Sequence, residues 1–131
     1  GKVLVVDDSR ISRLVASNFL NKLNIECEVV SSGEAALAEL IRASHEYDLV
    51  LMACKMRVLD GLKTTEIIRR ELPTQQIPII GMGTHFNDEL ASHAHAVGMS
   101  NLLSKPLQMK QLQKCLSRHM QPQFLDMDGT G

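Results

Sequence analysis

Asp48-Leu49-Val50-Leu51-Met52-Ala53-Cys54-Lys55-Met56, followed at once by Arg57-Val58-Leu59-Asp60-Gly61, is the stretch on which the fold turns. A short continuous apolar run between Tyr47-Asp48 and Asp60-Gly61 reads as a strand buried on both faces, the kind that parallel sheets use. Such a strand delivers its last residue to the sheet edge, where open α/β sheets place their ligands. Here that residue is Ala53, a methyl group with no reactive chemistry.

Outward from this strand, the same grammar repeats. Val3-Leu4-Val5-Val6 is another unbroken apolar run, and Asp7-Asp8-Ser9 follows it. Ser9 or Asp8 can cap a helix whose apolar positions Ile11, Leu14, Val15, Phe19 and Leu23 recur at helical spacing. A second strand is expected from Ile25 to Val30. Ser31 and Glu34 then stand in the S-x-x-E relation of a capping box, opening a helix with Ala35, Ala36, Leu37, Leu40 and Ile41 inward. After Gly61 a helix runs from Leu62 to Leu72, stopped by Pro73. Ile77 to Met82 makes a fourth strand with Pro78 at its start. Asn87-Asp88-Glu89 opens a helix that Gly98 ends, Asn101-Leu102-Leu103 is a fifth strand, and Leu112, Cys115 and Leu116 face inward from the last helix.

Five strands alternating with five helices predict an α/β fold with a doubly wound, five-stranded parallel sheet of flavodoxin-like architecture. One domain over residues 1–120 is expected, with 121–131 as a tail or linker. The strand carboxyl ends then gather Asp7, Asp8, Ala53, Gly83, Thr84 and Lys105 at one edge.

Composition narrows the function. Lys+Arg 14 against Asp+Glu 15 gives a net charge of -1, so no global field draws the chain to nucleic acid or an anionic membrane. No apolar run approaches the roughly 18 residues of a membrane span. Cys27, Cys54 and Cys115 are odd in number and lack C-x-x-C spacing, which points to a reducing, cytoplasmic setting and to neither disulfides nor zinc. His93 and His95 fall on different helix faces, so a metal site with His85 is not expected. The chain's start at a strand and its polar end are expected of a piece of a longer protein.

The acidic pair after strand one, Lys105-Pro106 after strand five, and the pattern D-L-V-L-M-x-x-x-M-x-x-x-D-G in strand three resemble the receiver domain of two-component response regulators. The resemblance covers the chain to about Met120 and is most like receivers attached to hybrid sensor histidine kinases. It implies phosphoryl transfer from a kinase histidine to an aspartate at the end of strand three. That chemistry needs a carboxylate nucleophile, a Mg²⁺ held by it and its acidic neighbours, and a cation facing the phosphoryl oxygens. Asp7 and Asp8 match the family's metal-binding acids and Lys105 its cation, but the acceptor position holds Ala53.

Three more positions depart from the family pattern. Gly83 stands where a Thr or Ser hydroxyl is usual, Leu102 where a switching Tyr or Phe is usual, and Arg57 where a proline follows the methionine. Together they imply a pseudo-receiver that cannot be phosphorylated: a regulatory interaction module and not an enzyme. Its partners would be a histidine kinase domain or another signalling protein, met through helix four, strand five and helix five, in the cytoplasm or in the cytosolic part of a membrane-bound kinase. No cofactor is required, and Mg²⁺ at Asp7 and Asp8 is expected to bind weakly or not at all. Two negative charges against Lys105, in place of three, also leave Lys105 able to pair with Asp7 or Asp8. The alternatives are phosphorylation at a substitute acceptor (Asp60, Asp8 or Thr84) and an engineered Asp-to-Ala change in an active receiver. A nucleotide- or flavin-binding enzyme is disfavoured by 3% aromatic content and the lack of a Gly-rich phosphate loop.

Overall fold

The computed structural model describes residues 1–73 and 76–120, and the tail expected over 121–131 lies outside the described residues. Five strands, β1 (Lys2–Val6), β2 (Glu26–Val30), β3 (Leu49–Ala53), β4 (Ile79–Gly83) and β5 (Asn101–Ser104), form one sheet in the order β2-β1-β3-β4-β5. Every neighbouring pair is parallel. The connecting helices are α1 (Arg10–Lys22), α2 (Gly33–Ala43), α3 (Gly61–Glu71) and α4 (Asp88–Val97), and α5 (Met109–His119) follows β5. This is the doubly wound α/β architecture expected of the sequence.

Strand alternation sorts the core into two layers. Val3, Val5, Leu49, Leu51 and Ala53 pack with Ala16 and Leu20 of α1 and Leu112 and Leu116 of α5. Leu4, Val6, Val50 and Met52 pack on the other side with Ala36 and Leu40 of α2, Ile68 of α3 and Ala94 of α4. All five residues of β3 are buried, as a central strand covered on both faces must be.

Local capping chemistry sets the helix starts. Ser9 caps α1 by accepting from the Ser12 N–H, Asp60 caps α3 from the Lys63 N–H, and Asn87 caps α4 from the Leu90 N–H. Gly98 closes α4 at φ 109°, a left-handed position that suits glycine.

Two expectations are corrected. The cap of α2 is Ser32, which accepts from the Ala35 N–H, so the Ser31–Glu34 capping box does not form. The buried stripe of α1 is Ala16 and Leu20 flanked by Phe19 and Leu23, while Ile11 is 74% exposed and Leu14 also faces out. Ile41 of α2 is likewise exposed. In each helix several apolar residues share the 3.6 period, and the sheet selects which arc it covers.

Gly61 begins α3 directly against the third strand: a Cβ built there lands on the Ala53 carbonyl. Backbone cannot step aside as a side chain can. At Gly83 the obstacle is only the Phe86 ring, 2.9 Å from an added Cβ. Gly61→Ala is expected to cost about 3 kcal/mol in urea unfolding and Gly83→Ala about 1 kcal/mol or less. Equal losses would show that the Ala53 carbonyl does not fix where α3 begins.

Candidate functional site

The registers bring the strand ends level. Val6 faces Met52, Ala53 faces Met82, and Gly83 faces Ser104. Asp7, Ala53, Gly83 and Lys105 therefore meet along one edge, with Asp8 and Thr84 one residue further out.

Asp7 is 1% exposed, and both of its carboxylate oxygens are engaged. Oδ1 accepts from the Ser9 N–H at 3.0 Å, and Oδ2 accepts from Lys105 Nζ at 2.6 Å. Arg13 adds a hydrogen bond from its guanidinium to the Asp7 carbonyl at 2.8 Å. The Lys105 side chain is itself 19% exposed, so the pair sits mostly out of water. A charge buried this far is held only while its partner remains. The Lys105 N–H also donates to the Gly83 carbonyl at 2.7 Å, which ties the ends of β4 and β5 together.

Asp8 takes a different partner. Its Oδ2 accepts the Arg57 backbone N–H at 3.0 Å, and the Arg57 Nε lies 3.6 Å away. The Arg57 side chain is 88% exposed, so its ion pair is a weak surface one and the amide bond is the firmer tie. Sequence reasoning marked Arg57 only as a departure from the family pattern. Its contact with Asp8 spans 49 positions and runs through the main chain, which no side-chain pattern reports.

The other singled-out residues are accounted for in turn. Asp60 is the N-cap of α3, its Oδ1 2.8 Å from the Lys63 nitrogen. Thr84 is exposed and, with Cys54, Lys55, His85, Leu90 and Lys105, borders a cavity of about 170 Å³ beside Gly83. The Phe86 ring fills the space a side chain at Gly83 would need. Leu102 lies in β5 opposite Gly81, away from the edge. A Cβ on Gly81 would come within 2.6 Å of Met99, 2.8 Å of Leu102 and 2.9 Å of Cys54, so the missing side chain is what admits these three. Phe86 and Gly81 were not singled out from the sequence, and no local signal marks either. Among the described residues, no group of three His, Cys, Asp or Glu side chains converges as a metal-ligand set.

Cys54 is buried beside Ala53, and burial first, then Asp60, pushes its thiol up to about 11, against the opposing pull of Lys105. A thiol held neutral at ordinary pH suits packing and not redox sensing.

A five-stranded 2-1-3-4-5 sheet with an acidic pair and a lysine at its carboxyl edge defines a receiver, and the chain belongs to the response regulator receiver domain family, whose model matches residues 3–117. It is thus a receiver domain of two-component or phosphorelay signalling. The chain is 32% identical over 139 residues to hybrid signal transduction histidine kinase K of Dictyostelium discoideum, covering 97% of this chain and 11% of that kinase. Among solved structures it is similar to the chemotaxis protein CheY4 of Vibrio cholerae, at TM-score 0.85 and 30% identity, covering 92% of this chain and 98% of that one. It is also similar to the receiver domain of sensor histidine kinase PA1611 of Pseudomonas aeruginosa, at TM-score 0.80 and 29% identity, covering 90% and 95%; that structure holds a magnesium ion in its active-site cleft. The chain spans 4% to 16% of the length of the plant and amoebal kinases it matches.

Two outcomes follow from this geometry. Lys105→Met strands the Asp7 carboxylate and is expected to cost about 3 kcal/mol in urea unfolding, whereas Lys114→Met on exposed α5 should change stability by less than about 0.5 kcal/mol; similar losses would show that the Asp7 pair is not special. For Cys54, alkylation should accelerate about tenfold per pH unit from 7 to 10 without levelling, because the thiolate forms only near 11. A plateau near pH 8.5, monitored by mass mapping, would contradict the buried neutral thiol.

Proposed function

We propose that this receiver domain does not accept a phosphoryl group at the usual position and works as a constitutive protein-interaction module in the signalling protein that carries it. The observation that supports this is Ala53: the residue at the carboxyl end of the central strand, one past the Val6–Met52 pair as Asp7 is, is a buried methyl. A methyl cannot attack phosphorus or ligate a metal, so the acceptor chemistry is removed and not merely slowed. The surrounding groups are consistent with that loss. Phe86 occupies the volume over Gly83 where a hydroxyl side chain would reach a phosphoryl oxygen, and Leu102 packs against Gly81.

Divalent binding in this pocket is expected to be weak. The PA1611 receiver coordinates magnesium in its cleft, but the donor set here does not fit the ion. One carboxylate is missing at position 53, and both Asp7 oxygens already serve as acceptors. The partner is a histidine kinase domain or another signalling protein, and the setting is cytoplasmic. The contact face is α4, β5 and α5. Its support is an open hollow of about 210 Å³ between α4 and β5, floored by Leu102 and Met99 and rimmed by His95 and Asn101. The domain has no catalytic activity of its own.

Intact-mass analysis after incubation with acetyl phosphate and Mg²⁺ tests this directly. The chain as it stands should stay unmodified while Ala53→Asp gains one phosphoryl group. A phosphoryl group on the unaltered chain, at Asp60, Asp8 or Thr84, would overturn the proposal.

A further inference from the structure

We propose that the Arg57 main-chain amide has taken Asp8 out of metal service and made it a permanent latch on the β3–α3 loop, so that this edge is held without any divalent ion. The inference deepens the proposed function by naming how the pocket is held, and it rests on the same residues. It does not depend on whether the chain accepts phosphate.

The loop from Cys54 to Asp60 is held at three points. The Gly61 N–H donates to the Cys54 carbonyl at 2.9 Å, Asp60 caps α3, and the Arg57 N–H donates to Asp8 Oδ2 at 3.0 Å. Between these anchors lies a tight three-residue turn. The Leu59 N–H donates to the Arg57 carbonyl at 2.8 Å, and Val58 at the apex has φ 68° with its side chain 95% exposed. A β-branched residue in the left-handed region costs about 1–3 kcal/mol and persists only where its surroundings impose it. Nothing packs on Val58, so the restraint comes from the anchors on either side. Arg57 adjoins the strained residue, and its amide is the anchor reaching back to the acid pair.

Only a residue with an N–H can make this bond; proline, which has none, cannot. A cation placed between Asp7 and Asp8 would have to compete with Lys105 for Asp7 and with the Arg57 amide for Asp8. The latch and a metal therefore draw on the same oxygen, Asp8 Oδ2, and residue 57 biases which of them holds it.

The test uses Mn²⁺ alone as the probe, with affinity read by electron paramagnetic resonance on the whole chain. Ala53→Asp supplies the third carboxylate, and Arg57→Pro and Arg57→Ala are each added to it. Arg57→Pro should bind Mn²⁺ about tenfold more tightly than Ala53→Asp alone, the scale on which ligand-orienting contacts act. Arg57→Ala keeps the amide and should stay within about twofold. Equal affinities for Ala53→Asp with and without Arg57→Pro, or a gain as large with Arg57→Ala, would overturn the latch. Hydrogen exchange on the unaltered chain provides a second, fold-independent reading. The Arg57 amide should be protected, should lose protection in Asp8→Ala, and should keep most of it in Asp8→Asn, whose side-chain oxygen still accepts. An Arg57 amide that exchanges as fast as an open loop in the unaltered chain would sink the proposal.

Discussion

A carboxylate almost without solvent, that of Asp7, sits where β1 leaves the sheet, and its charge must be met from inside the protein. The surrounding edge depends on how it is met. The Ser9 N–H that binds Asp7 Oδ1 belongs to the residue that caps α1, so the helix start is aligned by the same charge. Lys105, on Oδ2, is the residue after β5, and its own N–H holds the last carbonyl of β4. One ion pair thus links the ends of three strands that are not all neighbours in the sheet. Pairs of this kind add little net stability when complete, because desolvation offsets most of the attraction, but losing one member leaves the other stranded.

Two departures from the family pattern, Leu102 and Gly83, each have a physically matched neighbour. Gly81 has no side chain, and Leu102, Met99 and Cys54 fill the space it leaves. Leucine has no polar tip to draw it outward, so this inward packing has no counterweight of the kind a tyrosine hydroxyl would supply. Gly83 likewise makes room for the Phe86 ring. Restoring a carboxylate at position 53 would not by itself restore these two neighbours.

Much of the fold was legible because its signals are local. Continuous apolar runs marked β1 and β3; Ser9, Asn87 and Gly98 marked helix ends; and the regular strand-helix alternation, which takes in the mixed segment Glu26–Val30, fixed a parallel sheet. Where two local signals were equivalent, sequence could not choose. Ser31 and Ser32 offer the same hydroxyl, and backbone direction after β2 gave the cap to Ser32. Ile11 and Leu14 carry the helical period as well as Ala16 and Leu20 do, but the sheet covers only the second arc. For the site, the residue types at Asp7, Asp8, Ala53 and Lys105 were readable, whereas their pairing was open between Asp7 and Asp8. Burial decides it: the buried acid takes the lysine, and the half-exposed acid is left to the β3–α3 loop. The Phe86 ring over Gly83 and the Arg57 amide on Asp8 lay beyond reach, since one depends on loop conformation and the other on a main-chain donor.

The two cations at this edge look equivalent in a charge count, because each faces one aspartate, yet they act on different scales. Lys105 and Asp7 are largely out of water, so their attraction is weakly screened and their separation costly. The Arg57 guanidinium is in solvent at 3.6 Å, where attraction is small and salt reduces it further. What makes Arg57 matter is its amide, which is fixed in the chain and loses no side-chain entropy when it binds Asp8. In a pocket with three carboxylates, repulsion must be relieved by something that comes and goes, and that dependence lets the pocket report on a ligand. Here Lys105 Nζ meets Asp7 and the Arg57 N–H meets Asp8. Under the function proposed above, an edge balanced from within in this way would not respond to an ion or a phosphoryl group and would offer a partner the same surface at all times.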